Sequence, residues 1–431
     1  MTTSADRLPP SATRPRAQPP PRPGPSADAG HRVVHLPAGV TVLAPTLPPG
    51  AAEPALDAAV DEALRALPPR GRLTVLVNDP QRHTASRAVL GPLARRLAPG
   101  RMRLLIASGA HTTPPGARLA FERALCGEVS FGAVAWHDSR SDALVPIGAG
   151  NPWRGHPWLL DADGVLAVGS VEPHYFAGWT GAHKTATVGA AAHEDIRANH
   201  AAAMDLTCRP ARLAGSGVAE GIFAMLAALE ASRPVAAVDL VQAGPRIFAA
   251  AAGGPRAALD AAIPHARRAF VRHVDAPADA VVAEVAGPLA ETFYQADKGI
   301  KNHEWAVRDG GCLVLVAPCP GGLGQDDFVR LLRRAGTHAD AVHAVRARGY
   351  RLGDHKAVRL RHLTDPRARG VRAFLVSEGL SAAEAGVLGM TKAPGVPAAL
   401  AAAGIDPARH HVLHVRDAGN LTVLPDDDGV E

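Results

Sequence analysis

Residues 72–79, RLTVLVND, are a short apolar run that ends in polar residues, and this stretch decides the fold class. Two runs of the same kind follow along the chain, MRLLIASGAH at 102–111 and GVLAVGSVEPH at 164–174. Helical patterns at 55–67 and 85–97 flank the first run. Short buried strands that alternate with helices predict a parallel sheet with crossover helices, and therefore an α/β fold.

Each of these predicted strands leads into ionisable side chains, namely Asp79, His111 and His174. In open α/β sheets, ligands bind beyond the carboxyl ends of the strands. We therefore expect the three side chains to converge on one crevice. For any single residue, an ordinary polar turn at the end of a strand is the competing interpretation.

The second half of the chain begins a new set of elements after a composition change at 274–279, VDAPAD. Strand-like and helical patterns recur there, at 280–285, 312–317, 325–335, 373–377, 382–387 and 412–415. We predict a disordered Pro-rich tail over 1–30, a Rossmann-like N-terminal α/β domain over 31–275 and a smaller α/β domain over 276–405. For the remaining segment, 406–431, a return to the N-terminal domain is one interpretation.

The composition excludes several classes of protein. Of 431 residues 47% are hydrophobic and 20% charged, the formal charge is +5, and no basic stripe alternates with aromatic residues, so we expect no nucleic-acid partner. No apolar run approaches the ~20 residues that span a bilayer, so we expect no membrane partner. The four cysteines have no C-x-x-C spacing, which argues against iron–sulfur, zinc-ribbon and disulfide frameworks. The first thirty residues lack the apolar region of a signal peptide, and we expect a cytoplasmic protein.

The densest stretch of chemistry is EPHYFAGWTGAHKTATVGAAAHEDIRANH at 172–200, with four histidines and Lys184, one of five lysines in the chain. It lacks the second histidine of a zinc-protease H-E-x-x-H, the glycine spacing of a P-loop and the serine of a nucleophile elbow. Small residues such as Gly181 let a ligand approach the backbone, and neutral imidazoles bind metals or move protons. The residues therefore predict a metal site or a phosphorylated-cofactor site, and both interpretations stay open.

This stretch resembles the signature of the nickel-dependent lactate racemase family, in which a histidine precedes Tyr-Phe-Ala-Gly and a Gly-rich segment leads to a lysine. The resemblance extends over nearly the whole chain after the tail. It includes Asp79-x-x-Arg82, Gly109-Ala110-His111, His137-Asp138, Ile196 through Asn199-His200, Tyr294-Gln295-Ala296-x-Lys298-Gly299 and Gly310-Gly311.

The resemblance implies a cofactor and a role for each matching residue, in a fold of two α/β domains with the active site between them. The cofactor of the family is a nickel-pincer nucleotide, a pyridinium mononucleotide whose two sulfur arms and ring carbon hold nickel. By this resemblance Lys184 forms the covalent tether, His200 is a nickel ligand, and His111 and His174 are the catalytic bases. Arg82, Gln295 and Lys298 are expected to bind the substrate carboxylate. We also expect Asp79 and Gly181 to contact the cofactor.

The family resemblance predicts an isomerase that racemises or epimerises a 2-hydroxy acid by reversible hydride transfer, with cofactor-synthesis enzymes as partners. Two alternatives stay open: another hydride-transfer reaction on a specialised metabolite, and a non-catalytic protein that binds the cofactor. Several positions near the matching residues differ from the family pattern, namely Gln81, His83, Thr112, Ala182, His183 and Val188. The substrate is therefore open among lactate, a larger hydroxy acid, a sugar acid and a specialised metabolite.

Overall fold

The computed structural model describes residues 36–50, 53–150 and 152–426, so the predicted tail over 1–30 lies outside the described residues. The strands within them are β1 (Thr41–Leu43), β2 (Leu73–Asn78), β3 (Met102–Ala107), β4 (Ala133–Trp136), β5 (Val145–Ile147), β6 (Trp153–Gly155), β7 (Gly164–Ser170), β8 (Pro173–His174), β9 (Gly178–Trp179), β10 (Val235–Ala243), β11 (Arg246–Gly253), β12 (Val271–Val274), β13 (Ala278–Glu284), β14 (Val307–Val316), β15 (Arg372–Val376), β16 (Thr391–Lys392), β17 (Val412–Val415) and β18 (Thr422–Pro425). The helices are α1 (Glu53–Arg65), α2 (Arg87–Arg96), α3 (Pro115–Cys126), α4 (Ala182–Ala186), α5 (His193–Ala201), α6 (Gly217–Glu230), α7 (Pro255–Phe270), α8 (Phe293–Lys301), α9 (Asp326–Arg334), α10 (His338–Arg348), α11 (Asp354–Thr364), α12 (Ala382–Leu388) and α13 (Val396–Ala402).

The three apolar runs form the central strands of the first sheet, whose order is β11-β10-β7-β2-β3-β4. Val75 of β2 pairs in register with Leu104 of β3 on one side and Leu166 of β7 on the other, and both pairings are parallel. These strands are buried on both faces, which is why each reads as a continuous apolar run rather than an alternating one. The predicted parallel sheet is confirmed, with β11 running antiparallel along β10 at one edge.

The second sheet is parallel throughout and has the order β1-β17-β13-β14-β15-β16. The strand β1, from near the start of the described chain, pairs with β17. This sheet therefore combines strands from early and late in the sequence. The strand β18 pairs with β12, which directly follows α7. Two parallel-rich sheets with helices confirm the α/β fold class, while the domain boundaries stay predictions. Among the described helices, we find none with the length and apolar character to cross a membrane.

A close backbone contact fixes α4 against the end of β7. A Cβ atom added at Gly169 of β7 would lie 2.2 Å from the backbone nitrogen of Ala182 and 2.4 Å from the carbonyl carbon of Gly181. A side chain at residue 169 would therefore push α4 away from the sheet. Because α4 carries Lys184, this glycine determines the position of a predicted site residue.

We expect the substitution Gly169→Ala to lower the free energy of unfolding by about 1–3 kcal/mol, the usual cost of overpacking a buried site. The clash is with backbone atoms, which cannot rotate out of the way as a side chain can. Denaturant unfolding followed by circular dichroism measures the change. The matched control is Gly386→Ala in α12, where nothing lies within 4 Å of the added Cβ. That variant should gain up to about 1 kcal/mol, since alanine favours a helix. Equal stabilities for the two variants would contradict the packing argument.

Candidate active site

His111 and Asp79 form a hydrogen-bonded pair at the carboxyl ends of β3 and β2. The His111 Nδ1 lies 2.8 Å from Asp79 Oδ2. Asp79 is buried, and its other oxygen accepts from the backbone N–H of Gln81 at 3.1 Å, which caps the turn Pro80–Arg82. A carboxylate bonded to Nδ1 favours the tautomer with the proton on that nitrogen, and so leaves a lone pair on Nε2. The adjacent parallel strands thus bring two of the predicted site residues into contact.

His174 lies in an aromatic cluster at the hairpin of β8 and β9. Its ring stacks on that of Tyr175 with centroids 5.2 Å apart and meets the ring of Phe176 edge-on at 4.4 Å. The residue is buried, and its Nδ1 accepts from the backbone N–H of Ala177 at 3.3 Å. Two aromatic contacts and one hydrogen bond to a ring nitrogen therefore fix the orientation of the imidazole.

Lys184 lies on α4 with its Nζ 5.8 Å from the centroid of the Phe176 ring, within the range of a cation–π contact. Within the described part of the chain its amine makes no hydrogen bond or ion pair. Burial, and then the positive charge of Arg82, hold the pKa of Lys184 well below its usual value, although Glu172 opposes the shift. A lysine with a lowered pKa is in the neutral, nucleophilic form for a larger fraction of the time than an ordinary lysine.

His200 lies in the last turn of α5, edge-on to the same Phe176 ring at 5.0 Å. Its Nδ1 is 3.1 Å from the side-chain oxygen of Asn199, so this nitrogen donates and the Nε2 keeps its lone pair. Burial, followed by the charges of Lys184 and Arg82, lowers the pKa of His200 to about 3. The imidazole is therefore neutral near pH 7 and able to bind a metal through Nε2.

The electrostatic environment of His174 shows that the predicted residues lie together. Burial lowers the pKa of His174 well below its usual value, and the charges of Lys184, Arg82, Lys298 and His200 lower it further, in that order. Because such interactions fall off with distance, these groups lie near His174. The structure thus brings the predicted tether, metal ligand, base and cationic substrate-binding residues into one neighbourhood.

The predicted carboxylate-binding residues come from two different elements, α8 and the turn after β2. Lys298 on α8 forms an ion pair of 3.2 Å with Glu172, which follows β7. Gln295 is exposed on the same helix, and Arg82 is exposed at the end of the turn after β2. Sequence reasoning did not assign a role to Glu172, although it directly follows the end of a predicted strand. Its contact with Lys298 joins elements of the first and second halves of the chain.

Gly181 precedes α4 with a φ of +153°, and its surroundings explain why a glycine is needed there. A Cβ atom would lie 2.9 Å from His183 Nδ1 and 3.0 Å from Asp239 Oδ1. Asp239, buried in β10, accepts from the backbone N–H of Ala182 at 2.7 Å, and burial raises its pKa to about 7. Sequence reasoning missed Asp239, for which the available signal was a lone carboxylate in the apolar run VAAVDLV.

A second residue missed by sequence reasoning is His355, buried at the start of α11. Its ring meets that of Phe176 at 4.8 Å, so it belongs to the aromatic cluster around His174. The available signal was its place beside Lys356, one of the five lysines. A lone histidine in a helical pattern carries no distinctive spacing, and tertiary packing alone brings it to the site.

We expect the substitution Lys184→Met to raise the pKa of His174 in the protein without cofactor. The protonated imidazolium is disfavoured by the nearby Lys184 charge, so removing that charge makes protonation easier. The pKa should stay below the usual histidine value of about 6.5, since burial is the largest cause of the shift. A pH titration of the histidine ring signals by NMR measures it. A pKa that falls or does not move would place Lys184 outside this neighbourhood.

Comparison with known proteins identifies two matching domain models. The lactate racemase N-terminal domain matches residues 51–209, and the lactate racemase C-terminal domain matches residues 274–352. Together these matches cover more than half of the chain. They include all of the predicted site residues, from Asp79 to His200 and from Gln295 to Lys298.

Two individual proteins with similar sequences are lactate racemases. The chain is 27% identical to the lactate racemase of Thermoanaerobacterium thermosaccharolyticum over 302 residues, 64% of this chain and 67% of that protein. It is 27% identical to the lactate racemase of Lactiplantibacillus plantarum over 270 residues, 59% of this chain and 62% of that protein.

Solved structures show the same fold. The lactate racemase apoprotein from T. thermosaccharolyticum superposes with a TM-score of 0.77 at 22% identity, covering 90% of this chain and 96% of that one. A protein from Thermotoga maritima superposes with a TM-score of 0.66 at 15% identity, covering 88% and 99%. With both domain models matched, the chain belongs to the lactate racemase family.

Proposed function

We propose that this protein is a racemase or epimerase of a 2-hydroxy acid that depends on a nickel-pincer nucleotide. The observation that carries the proposal is the convergence of two imidazoles, those of His111 and His174, with Lys184 and His200 in one neighbourhood. Membership in the lactate racemase family supports the racemase class of enzyme. The cofactor, the bases and the substrate are parts of the proposal.

The residues present fit the cofactor in two respects. The amine of Lys184, which has a lowered pKa and no hydrogen-bond or ion-pair partner among the described residues, suits a covalent attachment. The Nε2 of His200 has a lone pair, and the oxygen of Asn199 orients the ring, as is usual for a metal-bound histidine. We propose that Lys184 tethers the nucleotide and that His200 provides the protein ligand to nickel.

The metal ligands available among the described residues also fit this cofactor. The described residues contain no group of three or more His, Cys, Asp or Glu side chains that would hold a metal ion. A metal at His200 would therefore need its remaining ligands from a molecule that carries it, as a pincer nucleotide does. When bound, the nucleotide supplies a reversible acceptor for a hydride.

The two histidines would exchange the proton of the substrate hydroxyl. Asp79 orients His111 through Nδ1, so Nε2 of His111 is free to accept that proton. We thus propose that Asp79 serves the base, rather than contacting the cofactor as expected from the sequence. Because Nδ1 of His174 accepts from the backbone, its neutral ring carries the hydrogen on Nε2, and we propose that this N–H faces the site. We propose that His111 accepts the hydroxyl proton at Nε2 as the 2-oxo acid forms. When the other configuration is formed, the alkoxide oxygen takes a proton from His174, which is protonated for that step, and proton exchange with water then returns both rings to their starting state.

The cationic residues explain why the substrate is proposed to carry a carboxylate. Arg82 and Lys298 bring positive charge to the site, and an arginine can bond a carboxylate through two N–H groups. We propose that both bind the substrate carboxylate, with Gln295 as an additional donor from α8. The charge of Lys298 is shared with Glu172, so Arg82 is the stronger anchor of the two.

Removal of a hydride, rather than of a proton, is the chemically easier route to inversion. Proton abstraction from C2 would place further negative charge beside a carboxylate that already bears one. A departing hydride takes both electrons of the C2–H bond with it. The hydroxyl proton goes to a histidine, and a neutral ketone group forms. Re-addition to the other face of the ketone inverts the centre.

A direct test uses protein produced together with the cofactor-synthesis enzymes, because protein without the cofactor is expected to be inert. Single enantiomers of lactate, larger 2-hydroxy acids and sugar acids are incubated with it, and chiral chromatography follows the appearance of the other configuration. The proposal predicts inversion at C2 for at least one of these acids. Nickel-loaded protein that inverts none of them, beside a lactate racemase that is active in the same assay, would contradict it.

A further inference from the structure

The imidazole of His355 bridges two tyrosine hydroxyls behind the candidate site. Its Nε2 lies 3.0 Å from the Tyr175 hydroxyl, and its Nδ1 lies 2.6 Å from the Tyr350 hydroxyl. His355 and Tyr175 are buried, whereas Tyr350 is half-buried. The bridge therefore runs from the aromatic cluster outward toward solvent.

A neutral imidazole has one N–H and one lone pair, so it donates to one tyrosine and accepts from the other. If Tyr175 donates to Nε2, then Nδ1–H donates to Tyr350, and the remaining Tyr350 hydroxyl hydrogen can reach water. In the other tautomer the Tyr175 hydroxyl hydrogen has no further acceptor among the described residues, and a buried unpaired donor is unfavourable. The arrangement therefore favours a neutral His355 with its proton on Nδ1.

The charges around His355 favour the same neutral form. Burial, then His200, Lys356, Arg359 and Lys301, hold the pKa of His355 well below its usual range. With these cationic neighbours, protonation of the ring is unfavourable. The imidazole therefore keeps one acceptor and one donor nitrogen near neutral pH.

The bridge bears directly on His174 through the Tyr175 ring. Tyr175 stacks on His174 with an interplanar angle of 16° and on His355 with an angle of 27°. Its backbone oxygen also accepts from Arg359, at 3.2 Å. Both ends of Tyr175 are thus fixed by α11, its hydroxyl by His355 and its backbone by Arg359. The ring of Tyr175 in turn covers one face of His174.

We infer that His355 is a positioning residue, which holds the Tyr175 ring against His174 by accepting the Tyr175 hydroxyl hydrogen at Nε2. This inference rests on the proposed role of His174 as a base. It adds to the site a histidine that does not touch the substrate and that acts only through Tyr175. A ring held in one orientation keeps its Nε2 directed at the substrate oxygen throughout turnover.

NMR of the ¹⁵N-histidine-labelled protein without cofactor tests the bridge itself. The signals of His355 are assigned by their loss in the variant His355→Gln. We expect a neutral ring with hydrogen on Nδ1 and a lone pair on Nε2, unchanged from neutral pH down to about pH 5. A ring protonated on Nε2, or an imidazolium in this range, would overturn the inference.

Two amide variants separate the two ends of the bridge. In His355→Gln the amide oxygen reaches the position of Nε2 and can accept from Tyr175, whereas in His355→Asn the amide reaches only the position of Nδ1 and Tyr350. The ring signals of His174 should therefore stay in place in His355→Gln and shift in His355→Asn. Equal shifts in both variants would overturn the inference. Should His355→Asn fail to fold, Tyr175→Phe removes the same hydrogen bond and keeps the ring, and the His174 signals should shift there.

The loaded enzyme provides a second readout. We expect kcat of His355→Asn to fall by about 10–100-fold with KM unchanged, since the carboxylate-binding residues are untouched. His355→Gln should keep kcat near that of the wild type. A fall in both variants, or a change in KM alone, would overturn the inference. A wild-type protein that shows the expected NMR signals but inverts no 2-hydroxy acid would contradict the proposed function and leave the bridge intact.

Discussion

Replacing Lys184 with arginine is expected to abolish racemase activity and to leave the protein without nickel. Arginine keeps the positive charge and nearly the length of lysine, but its guanidinium stays protonated and cannot form the covalent tether. The substitution therefore removes the nucleophile and little else at a residue that makes no hydrogen bond or ion pair within the described chain. Activity on the best 2-hydroxy acid and nickel per chain are measured on protein made with the cofactor-synthesis enzymes.

The matched control for this substitution is Lys392→Arg. Lys392 is exposed in β16, and its Nζ contacts the backbone oxygen of Leu380, away from the site neighbourhood. Its nickel content and activity should equal those of the wild type. If Lys184→Arg bound nickel and inverted substrate at the wild-type rate, Lys184 would not be the tether, and the proposed cofactor attachment would be wrong.

Replacing either candidate base with asparagine is expected to lower kcat by about 10²–10⁴-fold, the usual contribution of a general acid or base. Asparagine preserves the hydrogen bond at Nδ1 in both cases, to Asp79 in His111→Asn and from Ala177 in His174→Asn. Each variant thus loses Nε2 while keeping the local contact. Steady-state rates of inversion measure the effect in both directions.

Nickel content separates loss of a base from loss of the cofactor, because neither histidine is proposed to hold nickel. Both variants should contain as much nickel as the wild type. His343→Asn, at an exposed position of α10, serves as the control and should keep full activity. Full activity in His111→Asn or His174→Asn would remove that residue from the mechanism.

The central strands of the first sheet were predictable because burial on both faces makes their sequences uniformly apolar. The run at 72–79 forms β2 and the start of the turn after it. Asp79 lies at the carboxyl end of this strand, as the sequence predicted. The proximity of Asp79 and His111 follows from parallel order, since neighbouring strands carry their carboxyl ends to the same edge. The hydrogen-bond partners of these side chains could not be predicted in the same way. That Asp79 bonds His111 depends on side-chain geometry that strand order does not determine.

The contacts from the second half of the chain could not be read from spacing. His355 and Arg359 on α11 reach Tyr175 across more than a hundred residues of sequence, and only the folded arrangement brings them there. Arg359 is fully buried and bonds Glu304, an ion pair that composition alone would place at the surface. The strand β1 is a further case. With three residues it is too short for a hydrophobic pattern to predict that it belongs to the second sheet.

The measurement that most directly tests inversion by hydride transfer is the fate of deuterium at C2. One enantiomer of the best substrate, labelled with deuterium at C2, is inverted by the loaded enzyme in ordinary water, and the product is examined by mass spectrometry and NMR. A hydride that leaves and returns does not exchange with water, so the account predicts that the inverted product keeps its deuterium at C2. An inverted product that carries hydrogen from water at C2 would show proton abstraction, and would contradict the account.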